Sequence, residues 1–183
     1  CVSGSRFIVH RSIYDRFTDA LAVRADAIVI GDPMAEIKQM GPVISKASQV
    51  RCLRMIGKAK ADGAVQIAGL TSPDLTAPFD KGFYIRPTIF KDVQSDHELF
   101  LEEVFGPVIS MTPYTTEAEA LELANTGNFG LGLSIWSRDI ARAHRLSLGV
   151  RGGVVWLNDH HRNDPRSVWG GVRDSGFGKE NGW

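Results

Sequence analysis

Two hydrophobic periods alternate along this chain. "RFIVH" (Arg6–His10) has the short β-rich look of a strand. From about Ser12 the apolar positions Ile13, Phe17, Ala20, Leu21 and Ala27 or Ile28 recur at near-helical spacing. Ser12 is placed to cap that helix, with Asp15 three residues on as a weaker capping box, and "GDP" (Gly31–Pro33) ends it. "GPVI" (Gly41–Ile44) turns into a second helix over Ser45–Ala61, which "DG" (Asp62–Gly63) stops. "VQIA" (Val65–Ala68) reads as a strand, followed by a surface loop at Gly69–Gly82. "FYIRPTIF" is extended, with Pro87 demoting part of it to an edge or bulge. Beyond a short helix or turn at His97–Gly106, strands are expected at Pro107–Tyr114, Gly130–Trp136 and Gly152–Asn158. Between them come helices capped by Thr115 or Thr116 and closed at Gly149. After Asn158 the pattern dissolves.

Strands alternating with helices predict an α/β fold with an open, largely parallel sheet flanked by helices. At 183 residues, 43% hydrophobic and 23% charged, the chain suits one ordinary globular domain. We expect residues 1–158 to form its body, and 159–183 a substrate loop with a glycine-rich end. Lys+Arg and Asp+Glu are both 21, so neither a nucleic-acid nor a membrane-surface partner is indicated. No apolar run approaches the roughly 18 residues of a membrane span, and no signal segment is recognised. The two cysteines, Cys1 and Cys52, make no disulfide framework, so a cytoplasmic setting is expected. Cys52, among Val50, Leu53 and Ile56, reads as a packing residue.

Four segments offer chemistry. Cys1 is followed by the small residues Ser3, Gly4 and Ser5, which let backbone N–H groups approach a substrate oxygen. "LEEVFGPV" (Leu101–Val108) holds two adjacent carboxylates that diverge and so form no acid/base dyad. One of them suits hydroxyl groups, and Phe105 a planar ring; a solvated helix end beside one core Phe is the plainer alternative. "NDHHRNDP" (Asn158–Pro165) has two adjacent histidines but no metal-ligand spacing, so we expect no metal. A polar loop after a strand's C-terminal end is where open α/β sheets place ligand contacts. "VWGGVRDSGFGKENG" (Val168–Gly182) is glycine-rich but lacks both nucleotide-loop spacings. "NFGLG" (Asn128–Gly132) reads as close backbone packing.

Taken in order, "CVSGSR", "IYDRF", "GDP", "MGPVIS", "GFYIRPTIF", "EEVFGPV", "NFGLGLSIW", "GGVVWLN" and "WGGVRDSGFGKENG" resemble NAD(P)-dependent aldehyde dehydrogenases over essentially the whole chain. The resemblance implies that Cys1 is the nucleophile. Its thiolate would attack an aldehyde to give a thiohemiacetal, then a thioester that water releases as the acid, with NAD or NADP taking the hydride. It implies that Glu103 holds the nicotinamide ribose, that Phe105 flanks the nicotinamide, and that Arg51 stands where a lysine often contacts the cofactor. Asn158, Asp159, His160 and Trp169 would line the aldehyde's path. His160, His161 and Arg162 make that path polar, which suggests a polar or aromatic aldehyde.

The chain also departs from the family pattern. Ser48 stands where a glutamine is common, and "VWGG" replaces Pro-Phe-Gly-Gly. The general-base glutamate, the oxyanion-hole asparagine and the dinucleotide-binding domain lie upstream in the family, and an oligomerisation strand lies downstream. The expectation is therefore a catalytic-domain fragment of a homo-oligomeric enzyme, nearly inactive alone. Release of the thioester to coenzyme A is a rival within the family. Outside it stand an N-terminal-cysteine hydrolase, whose α-amino group would be the base, and a non-catalytic structural relative.

Overall fold

In the computed structural model, residues 1–37 and 39–182 are described. They form two compact units, one of residues 5–113 and one of residues 1–4 with 114–183.

The larger unit holds β1 (Arg6–His10), α1 (Tyr14–Asp26), α2 (Lys46–Ala61), β2 (Val65–Ala68), β3 (Thr88–Lys91), α3 (Glu98–Leu101) and nearly all of β4 (Val108–Tyr114). The sheet order is β1-β4-β3-β2. β3 and β4 run parallel, with Thr88 opposite Val108 and Phe90 opposite Ser110. β2 adds antiparallel to β3, with a bulge between Gln66 and Ala68. The α/β architecture with parallel strands and flanking helices thus holds, and the antiparallel direction of β2 is new. The core gathers Val9, Tyr14, Ala25, Ala68, Ile89 and Met111. From α2, Cys52, Met55 and Ala59 face inward at helical spacing, so Cys52 is the packing residue its surroundings suggested.

The helix starts come out differently from one another. Ser45 caps α2 as expected, accepting from the Ser48 N–H at 3.1 Å. Ser12 does not cap α1. The His10 ring accepts from the Ser12 N–H at 3.2 Å and opens a single 3₁₀ turn, Arg11–Ile13, before α1 begins. Tyr14 then reaches the core, where its hydroxyl donates to Met111 O (3.1 Å) and accepts from the Asp92 N–H (2.8 Å). Burial is the main cause that pushes its phenol up to about 12.

The smaller unit holds α4 (Glu117–Asn125), β5 (Phe129–Gly130), β6 (Gly132–Ile135), α5 (Ile140–Ser147), β7 (Val154–Leu157) and β8 (Val172–Arg173). Thr116 caps α4, and the Thr115 N–H donates to Glu119 at 2.8 Å. Glu117 ties α4 to α5 through Arg142 and Arg145, both at 2.9 Å. β6 and β7 are parallel, from Gly132 opposite Val154 to Ile135 opposite Leu157. β5 pairs antiparallel with β8, and Trp169 bridges Glu180. The stretch after Asn158, expected to be without order, is therefore folded back by long-range pairing.

Candidate functional site

The residues singled out by the sequence divide between the two units. In the smaller one, the Cys1 thiol is exposed. The next side chain, Val2, lies beside Gly132 on β6, and the Trp156 ring occupies the same space where Gly132 lacks a Cβ. This close packing is the role read from "NFGLG".

Trp156, buried on β7, is the centre of an aromatic cluster. Its indole N–H donates to Arg162 O at 2.8 Å, which folds the loop 158–163 over the ring. The His160 ring meets it edge-on at 5.3 Å, and the Trp169 ring lies 6.3 Å away. His160 Nδ1 is 2.6 Å from Ser134 Oγ on β6. Asp159 accepts the His160 backbone N–H at 2.8 Å and pairs with Arg162 at 3.0 Å. Trp169 is held by two backbone bonds with Glu180, at 2.7 and 2.8 Å. Beside it, the Lys179 ammonium donates to Gly170 O and Gly171 O at 2.8 and 2.7 Å. A cleft of about 370 Å³ opens between Leu131, Trp169, these glycines and Lys179.

Asn158 has a different task from its neighbours. Its backbone is left-handed, with φ 53°, a conformation Asn tolerates better than most residues. Its side chain donates to Ser137 O (2.9 Å) and accepts from the Ser137 N–H (2.8 Å). With both amide atoms used, Asn158 turns the chain into the loop. Ser134 and Trp156 went unmarked in the sequence. An alternating strand hides a serine, and a strand tryptophan reads as core.

In the larger unit, α2 and the loop after α3 make a second platform. Arg51 donates to Val104 O at 2.6 Å and lies 6.0 Å from the Phe105 ring centroid. Cys52 Sγ fills the space where Gly106 lacks a Cβ, which brings helix and loop into contact. Phe105 is 53% exposed at φ 54°, a left-handed conformation that costs on the order of 1–3 kcal/mol in a bulky residue. The contacts of Arg51 and Cys52 with its two flanking residues hold it there. Glu103 is also exposed. An acceptor-only carboxylate suits a diol and an outward ring suits a planar heterocycle, so this set fits a ribose-bearing cofactor. Arg54 pairs with Glu98 at 2.6 Å, and its hydrogen bond holds that carboxyl below the usual range. Burial pushes the Cys52 thiol up against the opposing charge of Arg51, so Cys52 is kept from acting as a thiolate. Among the described residues no group of His, Cys, Asp and Glu could hold a metal ion. Among the described residues no helix is long and apolar enough to cross a membrane.

Comparison with known proteins follows this geometry. Residues 1–183 match the aldehyde dehydrogenase family. Betaine aldehyde dehydrogenase of Brucella anthropi is 40% identical over 182 residues, which are 100% of this chain and 37% of that protein. Aminoaldehyde dehydrogenase 1, peroxisomal, of Pisum sativum is also 40% identical over 182 residues, 36% of its length. Betaine aldehyde dehydrogenase from Staphylococcus aureus, solved in complex with NAD+, superposes with a TM-score of 0.95 at 36% identity, over 100% of this chain and 36% of that one. The NAD+ complex of an aldehyde dehydrogenase from Bacillus cereus gives 0.91 at 35% identity, over 97% and 35%. The chain thus spans little more than a third of the curated relatives it matches.

Proposed function

Because this chain belongs to the aldehyde dehydrogenase family, we propose that it carries the nucleophile and part of the substrate and cofactor walls of an enzyme oxidising an aldehyde to a carboxylic acid. The observation that carries this reading is the exposed Cys1 thiol in the same compact unit as the Trp156–His160–Trp169 cluster.

Cys1 attacks the aldehyde carbon as thiolate, and backbone N–H groups around it take up the charge that develops on the aldehyde oxygen. The thiohemiacetal so formed on Cys1 becomes a thioester, and water releases the acid. NAD(P)+, when bound, accepts the hydride. Glu103 would accept from the ribose hydroxyls and Phe105 would offer its ring to the nicotinamide, while Arg51 steadies the Phe105 loop. Asp159, His160 and Trp169 line the aldehyde's path, and Asn158 turns that loop into place. The polar loop and the aromatic rings suit a polar or aromatic aldehyde. The relatives are named for betaine aldehyde and aminoaldehydes, which are polar as well. A reducing cytoplasm suits a thiol nucleophile, and the working enzyme is a homo-oligomer.

The test uses the intact enzyme. Cys1→Ala is expected to lower aldehyde-dependent NAD(P)H formation by roughly 10³-fold or more. Labelling by iodoacetamide should fall on Cys1 and be slowed by substrate. Undiminished oxidation in Cys1→Ala overturns the reading.

A further inference from the structure

We propose that Ser134 is a positioning residue. Its hydroxyl holds the His160 imidazole edge-on to Trp156, so that Nε2 is the ring atom left to bond a ligand and selects aldehydes bearing a hydroxyl, which can donate or accept, away from the reacting carbon. This rests on the aldehyde-oxidising reading above and names the substrate feature that this wall would recognise.

The inference starts from one short contact. Ser134 lies on β6 and His160 three residues past the end of the parallel neighbour β7, and their side chains meet at 2.6 Å. The ring is fixed from a second side by Trp156, at 5.3 Å and 65° between planes. A third restraint is the Asp159 carboxylate, which takes the His160 backbone N–H. Nδ1 is thereby engaged and Nε2 has no protein partner among the described residues, while the residue itself is exposed.

A hydroxyl is the right partner for this purpose. It can donate to Nδ1, leaving the ring hydrogen on Nε2, or accept from Nδ1–H, leaving Nε2 as an acceptor. Either way Ser134 occupies Nδ1, and Nε2 is the ring atom left to meet a ligand. An alanine at position 134 removes both options and frees the ring to turn. The charged and titratable groups facing His160 are Asp159 and Arg162, paired with each other, and the His161 ring at 6.2 Å. The Asp159–Arg162 pair largely cancels, so the hydroxyl contact sets the orientation.

The experiment compares para-hydroxybenzaldehyde with benzaldehyde in the intact enzyme. Ser134→Ala should raise KM for the hydroxylated aldehyde about tenfold, the worth of one good hydrogen bond. kcat should stay within about twofold, benzaldehyde should change little, and Ser134→Thr should restore the difference. An equal change for both aldehydes, or none, overturns the proposal. If the wild type oxidises neither aldehyde while Cys1→Ala still abolishes its oxidation of other aldehydes, the proposal falls and the functional reading stands.

Discussion

The two units are held together by different means. Residues 5–113 bury a conventional apolar core, with Phe90, Val93, Met111 and Cys52 wholly withdrawn from water. In residues 1–4 and 114–183, Ala143 and Trp156 are the buried hydrophobics among the described residues. Close backbone approach and polar latches take the place of a core there. Gly153 packs directly against the Gly170 carbonyl. The Asn125 side chain donates to Gly149 O at 2.9 Å and accepts from the Arg151 N–H at 2.7 Å, while Arg173 donates to the carbonyls of Asn125 and Gly127. The unit that carries Cys1 thus relies on close backbone approach and individual hydrogen bonds, with few buried apolar side chains beside them. Such a scaffold brings main chain close to main chain, which an oxyanion site needs, and leaves it less tolerant of added volume.

The sharpest way to break this contrast is Gly153→Ala. A Cβ there would be driven into the Gly170 carbonyl oxygen, a backbone atom that no rotamer change relieves. The expected cost is about 4 kcal/mol or more, in the range of severe steric defects. Hydrogen exchange should show protection lost over 114–182 and retained over 5–113. A uniform loss across both units would remove the distinction between them.

A smaller effect is expected in the larger unit. Tyr14→Phe keeps the ring packing but leaves Met111 O and the Asp92 N–H without their partner, at about 1–3 kcal/mol by chemical denaturation. The same hydroxyl predicts a pH dependence. Tyr14 has its folded pKa raised from 10.0 to about 12, so the stability it contributes is fully present below pH 10. That stability is lost as pH rises toward 12, because the unfolded chain releases this proton first. The Tyr14→Phe variant should lack this part of the alkaline decline.

The smallest effect has the opposite sign. Gly57 lies in α2, exposed, with nothing within 4 Å of a built Cβ. Gly57→Ala should stabilise by about 0.5–1 kcal/mol, read as a rise in Tm. The two glycine-to-alanine changes differ in sign because a backbone carbonyl closes one site and the other opens to solvent.

Some of this could be read from the residues. α2 and α4 were legible because a cap and a period act within one or two turns. Ser45 and Thr116 need only their own N–H neighbours. The start of α1 differs from the expectation because His10 caps a 3₁₀ turn ahead of it, while Ile13, at the start of α1 itself, makes no side-chain cap. The order after Asn158 was invisible because β8 is two residues long and its partner β5 lies more than forty residues earlier. At the site, Cys1, Glu103 and Phe105 were marked by residue type and by family resemblance. Arg51's bond to Val104 O and Ser134's contact with His160 join residues 53 and 26 positions apart, and no local pattern announces either.

By itself, the sequence determined the local choices: which stretches coil into helices, where they stop, that strands alternate with them, and which thiol is available for chemistry. These follow from backbone sterics, capping and hydrophobic period, which act over a few residues. The tertiary structure alone decided that β2 runs antiparallel, that Phe105 and Asn158 take left-handed backbones, that Asn158 spends its amide on Ser137, and that a serine on β6 holds His160 against Trp156. Each of these depends on atoms brought together from distant parts of the chain, where volume and hydrogen-bond satisfaction, not spacing, set the outcome.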